Sequence, residues 1–305
     1  MTVRGGRNSA GASGSVLIFT LWVLVCLTVI SLGYAYRVRL ETKATAYTVA
    51  NIRSFYKAET ALYEKAIELI QYRKEGEVEL PDDKGGEGRK ERQEEEGGED
   101  EVRCEVIPEE GKINVNLAPQ QLIRNLKPLR GGLAREIISK RLGKDLKART
   151  DDDTVFRLPE ELLGLKEMKP EMWYGEEEGE TGIRDLLTVY GDGRIDLNSA
   201  PAEVIEAIPD LDRNLAEKIV ALRAGQDGTI GTKDDGKWET FEKMRASLKV
   251  SAEKMSSLTR YCKLGSDYYT IRVAASKGGS RATARIAAVL QISGDSFDVV
   301  SWRED

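Results

Sequence analysis

The most apolar part of the chain lies near its start, from Ser15 to Tyr36. None of these 22 residues is charged, and as a helix they extend about 33 Å, enough to cross the hydrocarbon core of a bilayer. Basic residues lie before the segment, at Arg4 and Arg7, and after it, at Arg37 and Arg39. A secretory signal sequence usually has a shorter apolar core followed by small residues at a cleavage site. The pattern therefore favours a helix that remains in the working protein.

The helical pattern continues beyond the apolar segment. Apolar residues recur at spacings of three, four and seven, with Lys, Arg and Glu between them, which is typical of an amphipathic helix. We predict one helix from about Ser15 to about Tyr72, membrane-embedded over 15–36 and amphipathic over 37–74. Its second half should pack on a globular domain through a stripe of Val49, Ile52, Tyr56, Tyr63, Ile67 and Ile70.

The rest of the chain begins with a segment, 75–101, that is rich in glycine and charge and too poor in apolar residues to order itself. Short β-type segments follow over 102–112. The far end, 264–305, contains two β-type runs separated by Lys277-Gly278-Gly279-Ser280, which predict a hairpin, and a last strand in "FDVVSWRE". Strands at both ends with helices between them indicate one sheet with a large insertion.

The insertion contains a repeat when the chain is shifted by 82 residues. "KINVNLAPQQLIRNL" at 112–126 matches "RIDLNSAPAEVIEAI" at 194–208, so two copies of one helical unit are expected, at 113–192 and 193–263. In each copy an asparagine, Asn116 or Asn198, precedes an Ala-Pro pair and is placed to cap a helix. The expected fold class is therefore α+β: a pilin-like long N-terminal helix packed on a small antiparallel sheet, with an inserted all-α region of two SAM-like, helix-hairpin-helix-like units.

The amino-acid composition argues against several classes of function. The chain has no histidine, which excludes Ser-His-Asp and Cys-His catalysis and every metal site that needs imidazole. We therefore expect a protein that is not an enzyme. Its net charge is −6, from 46 basic and 52 acidic residues, so no overall basic field attracts nucleic acid.

The repeat resembles the helix-hairpin-helix unit of DNA-binding competence and repair proteins, in which a glycine-rich hairpin presents backbone amides to a phosphate. Copy two has Pro209-Asp210-Leu211-Asp212 at this position, and its two carboxylates disfavour DNA. We interpret the unit as a packing module. Copy one keeps Lys127, Arg130 and Arg135, which would be the place of any DNA contact.

Two further sites have alternatives that the residues leave open. Asp227, Asp234 and Asp235 lie among glycines and could supply oxygen ligands to calcium, although Asp-Gly pairs are also ordinary turn formers. Cys104 and Cys262 flank the insertion, so they are candidates for a disulfide if the chain leaves and re-enters the sheet at neighbouring points; the alternative is two buried thiols.

The whole arrangement resembles the type IV pilins and pseudopilins, and more closely the K-type minor pseudopilins of type II secretion, the family of general secretion pathway protein K. The features that carry the resemblance are Gly14 before the apolar helix, Trp22, "YRVRLE" at the membrane exit, the two "LN-AP" helical units and the closing "VVSWRE". It implies that prepilin peptidase cuts between Gly14 and Ser15, removing a leader of residues 1–14, and that the new N-terminus is methylated.

One position departs from ordinary pilins. Most of them carry a glutamate at the fifth mature position, thought to pair with the N-terminal amine of the subunit above, and here that position is Phe19. A lone carboxylate in hydrocarbon is costly and is kept only with a partner. The resemblance thus implies a subunit with nothing above it, at the tip of the pseudopilus.

The resemblance also implies a setting and partners. These are a single-pass protein of the bacterial inner membrane with its C-terminal domain in the periplasm, and an interaction with I-type and J-type minor pseudopilins, the major pseudopilin, and secreted substrate or secretin, but not nucleic acid. Its role would be to initiate the filament that exports folded proteins across the outer membrane. The alternatives are a membrane-anchored, DNA-binding receptor of the competence type and a minor tip pilin of a type IV pilus.

Overall fold

The computed structural model describes residues 12–75, 101–129, 131–143, 150–175, 181–225, 236–276 and 283–304. Helix α1, Ala12–Glu75, is continuous over 64 residues, which confirms the single long helix predicted from the apolar pattern. The threonines of its middle part do not interrupt it, because hydroxyls such as those of Thr42, Thr45 and Thr48 donate to the carbonyl four residues earlier.

Strand β1, Glu101–Pro108, precedes the insertion. The insertion is made of short elements joined by turns, including a 3-10 segment at Pro159–Gly164. In chain order its other main elements are β2 Ile113–Asn114, α2 Gln120–Asn125, α3 Gly132–Leu142, α4 Pro170–Tyr174, β3 Leu187–Thr188, β4 Ile195–Asp196, α5 Ala202–Glu206, α6 Arg213–Arg223, α7 Phe241–Leu248, α8 Ala252–Tyr261 and β5 Cys262–Lys263.

Three strands follow the insertion: β6 Tyr268–Ser276, β7 Thr283–Ser293 and β8 Ser296–Glu304. With β1 they form an antiparallel sheet in the order β1-β6-β7-β8. The expected hairpin is the β6–β7 pair, in which Ser276 pairs with Thr283. The expected fold class, a long helix on a small antiparallel sheet with a helical insertion, is thereby confirmed.

The α1 face that packs on the sheet is not the predicted stripe. The buried side chains are Ala58, Leu62, Ala66, Leu69 and Ile70, which share a core with β6 and β7. Of the predicted stripe only Ile70 is buried. Both runs have helical spacing, and the sheet takes the face with small alanines because they let the helix backbone approach closely. The exposed residues are Val49, Ile52, Tyr56, Tyr63 and Ile67.

The insertion has a hydrophobic core of its own, to which both copies of the repeat contribute. Each copy has a two-residue parallel ladder, β2 with β3 and β4 with β5. Near the boundary between the copies, the Asn125 side-chain amide donates to the carbonyl of Ala207, the residue at its own equivalent position 82 residues later. The two units are thus packed directly on one another.

The role predicted for Asn116 and Asn198 is wrong. The N-cap residues of α2 and α5 are Pro119 and Pro201, and neither helix has a side-chain cap. The Asn116 amide instead exchanges two hydrogen bonds with the backbone of residue 156, 2.8 and 2.9 Å long, and the Asn198 amide does the same with residue 238. A side-chain amide can donate and accept at once, so each asparagine closes a 40-residue loop.

Candidate assembly surface

The apolar half of α1 extends away from the rest of the protein. In the described part of the chain, α1 is the one helix long and apolar enough to cross a membrane; its most apolar 18-residue window has a mean hydropathy of 2.6 and is fully unburied. Phe19 is 70% exposed and Trp22 is 65% exposed. Such a surface is unstable in water, so it requires lipid or other apolar helices around it.

A second apolar surface continues along the amphipathic half of α1. It consists of the exposed stripe identified above, from Val49 to Ile67, together with Phe297 of β8, whose ring centroid lies 6.1 Å from that of Tyr63. A shallow depression of about 350 Å³ lies on this face, lined by Asn51, Ile52, Phe55 and Tyr56. One helix therefore presents two apolar faces, one to its own sheet and one outward.

The insertion is held to the sheet by two buried glutamates in the "PEEG" turn that follows β1. Glu109 accepts hydrogen bonds from the hydroxyls of Thr188 and Thr270, each 2.6 Å long, and from Lys112 Nζ at 3.0 Å. Thr188 belongs to β3 of the insertion and Thr270 belongs to β6 of the sheet. A single carboxylate therefore bridges the two parts, and its hydrogen bonds offset the cost of burying it.

Glu110 makes the second bridge and is 1% exposed. Its carboxylate accepts from the backbone amides of Asp192 and Asp267, and Lys263 Nζ lies 2.7 Å from it. Lys263 also contacts Asp267 at 2.9 Å, and Asp267 pairs with Arg73 at the end of α1 at 2.6 Å. Burial opposes the charge on Lys263, but its hydrogen bonds to Glu110 and Asp267 outweigh burial and raise its pKa.

The hairpin carboxylates of copy two have structural roles. Asp212 caps α6 by accepting from the amide of Leu215 at 2.9 Å, and it pairs with Lys254 at 2.5 Å. The hydrogen bond from Lys254 lowers the pKa of Asp212. Asp210 accepts from the hydroxyl of Ser257 at 2.7 Å. These contacts agree with the interpretation of the unit as a packing module.

A carboxylate from a later part of copy one lies near the start of helix α3. The Glu167 carboxylate occupies the space that a Cβ at Gly132, the first residue of α3, would need. Lys127 pairs with Glu206 of copy two at 2.5 Å, whereas Arg130 lies outside the described residues. The third basic residue of the copy-one hairpin region, Arg135, is exposed on α3.

The candidate disulfide between Cys104 and Cys262 is not formed. Cys104 is on β1 and packs against the helix–sheet core, whereas Cys262 is in β5 and belongs to the core of the insertion. The end of β1 closest to β5 is Pro108, about 13 Å along the strand from Cys104, and a disulfide needs Cα atoms within about 7 Å. No disulfide involves either residue. Burial raises the pKa of the Cys262 thiol far above its ordinary range.

The structure does not test the other two predicted sites, the calcium site and the cleavage site. Asp227, Asp234 and Asp235 lie outside the described residues, so the calcium site stays a prediction. Within the described ranges, no group of three or more Cys, Asp or Glu side chains is arranged to hold a metal ion. Gly14 and Ser15 lie in the first turn of α1, and cleavage between them also stays a prediction.

Sequence reasoning missed the residues that organise the insertion. Glu109 and Glu110 lie within 102–112, for which the sequence predicted only short β-type segments, because no pattern marks an acidic residue as buried. Arg141 and Arg223 could have been found, since they are 82 residues apart and each ends the main helix of its copy. Arg141 Nη1 donates to the carbonyls of Val115 and Ala118, and Arg223 Nη1 donates to those of Leu197 and Ala200.

Comparison with known proteins identifies a likeness in fold but none in sequence. No protein-family model matches the sequence, and no curated protein sequence matches it. Among solved structures, the fold resembles a chain in the crystal structure of the GspK-GspI-GspJ complex from the type 2 secretion system of enterotoxigenic Escherichia coli. The TM-score is 0.54 at 13% sequence identity, over 88% of this chain and 99% of that chain. The chain therefore has a GspK-like fold, the one that its sequence resemblance predicts.

Proposed function

We propose that this protein is a non-catalytic minor pseudopilin of a type II secretion system, located at the tip of the pseudopilus. The observation that carries the proposal is α1: one helix whose first half is fully exposed and apolar and whose second half packs on an antiparallel sheet. This construction allows a subunit to wait in the inner membrane, with its C-terminal domain in the periplasm, and then to enter a helical filament, since both surroundings are apolar. The GspK-like fold supports it.

The second, outward apolar face of α1 fits the same proposal. A monomer gains nothing by exposing Ile52, Tyr56 and Ile67 to water. Helices of other minor pseudopilins, the I and J types, would cover this face, and the major pseudopilin would follow below. The insertion, held to the sheet through Glu109 and Glu110, would then lie at the end of the filament, where secreted substrate or secretin is met.

Phe19 supports the tip position. At the fifth residue after the expected cleavage site, a phenylalanine offers no carboxylate to the N-terminal amine of a subunit above it. Such a subunit can begin a filament but is poorly suited to the shaft, because an uncompensated amine in hydrocarbon is costly.

Mass spectrometry of the protein extracted from native membranes tests the processing on which the proposal depends. A mature chain that starts at Ser15 with a methylated amine is expected. A chain that retains Met1, or that is cut near Ala35, would contradict membership of a pilin-type filament.

The tip position needs a separate experiment. Phe19→Glu should leave secretion unchanged or impair it, because the added carboxylate has no partner at the end of the filament. Localisation of the variant by immunogold labelling of overproduced filaments provides the measurement, with Phe19→Leu as the matched control. Longer filaments with this subunit along the shaft would exclude the tip assignment.

A further inference from the structure

The two copies of the repeat differ in charge at one equivalent place. In copy two, Arg213 at the start of α6 is held by carboxylates: Arg213 Nε donates to Glu217 at 2.7 Å, and Nη1 lies 3.2 Å from Glu203 and 3.7 Å from Glu206. One guanidinium thus lies among three carboxylates of its own copy and bridges them.

Copy one has the reverse charges at the same positions. The residues 82 positions before Glu206 and Glu217 are Arg124 and Arg135, and the residue equivalent to Arg213 is Gly131. The equivalence is structural as well as sequential, since Arg141 and Arg223 make matching backbone contacts on the same two helices. Among the described residues, copy one therefore has two guanidinium groups at these positions and a glycine where copy two has Arg213.

The space left by the missing side chain is a cleft of about 410 Å³, lined by Arg124, Gly131, Ala134 and Arg135. Arg124 donates to the neutral amide of Gln120 at 3.0 Å. Within the described residues, neither Arg124 nor Arg135 forms an ion pair with a carboxylate. Gly131 has a φ of 92°, a conformation that other residues adopt rarely, so the backbone itself keeps this position without a side chain.

We propose that this cleft receives a carboxylate side chain from a protein partner, which completes in copy one the ionic cluster that Arg213 completes within copy two. Two arginines on adjacent helices can hold a carboxylate through several charge-assisted hydrogen bonds, the geometry for which guanidinium groups are suited. The partner contributes one acidic side chain at this point.

A carboxylate fits this cleft better than a nucleic-acid phosphate does. Glu206 of copy two lies next to copy one, as its contact with Lys127 shows, and the Glu167 carboxylate is packed against Gly132. A DNA backbone brings one phosphate after another along this surface and would be repelled by both carboxylates. A single acidic side chain needs only the two arginines.

Fluorescence anisotropy with the full chain in a neutral detergent tests the proposal, with a fluorescein-labelled peptide of glycine, alanine and a single glutamate as the probe and the same peptide with glutamine as the blank. The variants are R124E/R135E and the milder R124Q/R135Q, which removes both charges without reversing them and serves if charge reversal prevents folding. The matched control is R157E/R245E, which makes the same charge change at two exposed arginines elsewhere in the insertion. A labelled DNA duplex is measured in parallel, and thermal unfolding checks each variant.

The expected result is saturable peptide binding that weakens about tenfold or more in both cleft variants, as expected when charged hydrogen bonds are lost, and changes less than about twofold in the control. An equal loss in the control would show a general charge effect and overturn the proposal. So would the absence of saturable peptide binding, or DNA binding that depends on Arg124 and Arg135 when peptide binding does not.

Discussion

Arg141 and Arg223 lie 82 residues apart and make the same two contacts. Each directs one guanidinium nitrogen to a pair of backbone carbonyls, three residues apart, in the segment that opens its copy of the repeat. Both side chains are buried, at 9% and 4% exposure. A short ladder and turn carry few hydrogen bonds of their own, so the arginine holds the opening segment of each copy to its main helix.

Replacement of either arginine should destabilise the insertion. Arg141→Met or Arg223→Met removes the donor and leaves two carbonyls without a partner, which should lower the free energy of unfolding by about 2–4 kcal/mol. Denaturant unfolding followed by circular dichroism measures the loss. Arg245→Met, at an exposed arginine of α7, is the control and should change stability by less than about 0.5 kcal/mol. Equal effects at the buried and exposed positions would refute this role.

The Glu110–Lys263 contact should be essential for holding the insertion on the sheet. Glu110→Gln leaves Lys263 with Asp267 as its remaining close carboxylate partner, and losing the buried charged contact costs about 2 kcal/mol of folding free energy. Glu105→Gln is the matched control, because its partner Arg272 is half exposed, and it should cost less than about 1 kcal/mol.

The same pair predicts a dependence on pH. The pKa of Lys263 is raised in the folded protein, so its contribution to stability is complete below its unfolded pKa of about 10.5 and is lost as pH rises through the higher folded value. The stability difference between the wild type and Glu110→Gln should therefore be constant from pH 7 to 9 and shrink above about pH 10.5. A difference that grows with pH would contradict the assignment.

The two faces of α1 should respond differently to substitution. Leu62→Ala, on the buried face, should reduce the free energy of unfolding by about 2–4 kcal/mol because it leaves a cavity against the sheet. Ile67→Ala, on the exposed face, should cost less than about 0.5 kcal/mol but weaken co-purification with I-type and J-type pseudopilins. Loss of stability at Ile67 with no effect on association would mean that this face is not an interface.

Cysteine labelling tests the arrangement of the two cores. Cys262 is 1% exposed and its thiol pKa is strongly raised, and the thiolate is the reactive form. Iodoacetamide at pH 8 should therefore modify Cys262 only after unfolding, as measured by mass spectrometry of tryptic peptides. Rapid modification of the folded protein, or a peptide in which Cys104 and Cys262 are linked, would disagree with the structure.

The calcium hypothesis has an internal control in the repeat. The residues 82 positions before Asp234 and Asp235 are Asp152 and Asp153, which accept hydrogen bonds from Thr150. Calcium at 1 mM should raise the melting temperature of the wild type and of D152N/D153N but not of D234N/D235N, because a ligand that binds only the folded state stabilises it. Magnesium at the same concentration is the control for nonspecific screening of charge by a divalent cation. An unchanged melting temperature of the wild type in calcium would exclude the site.

The sequence predicted the elements whose pattern of apolar residues depends only on their own secondary structure. The charge-free run from Ser15 to Tyr36 predicted α1, and alternation with a glycine-rich break predicted the β6–β7 hairpin. The sequence did not predict which of two similar apolar faces of a helix would be buried. The two apolar faces of α1 have the same spacing, and only the approach of the sheet selects Ala58 and Ala66 over Ile52 and Tyr56.

Contacts between distant segments were also hidden from the sequence. Asn116 is a residue type that often caps helices. Its side-chain amide instead forms hydrogen bonds with the backbone of residue 156, because the chain returns to this place 40 residues later. Glu109 and Glu110 likewise obtain their role only when β3, β6 and the turn before β6 converge on them. In contrast, the repeat gave the arrangement of the insertion, since an 82-residue shift aligns its structural residues.

The ionic contacts at the end of α1 give the molecule a mechanical property. Arg73 pairs with Asp267, Asp267 with Lys263, and Lys263 with Glu110, so four side chains connect the end of α1 to the insertion. A push along the helix axis is transmitted to the far domain through these contacts as well as through the chain. We therefore expect α1 and the insertion to move together under such a load.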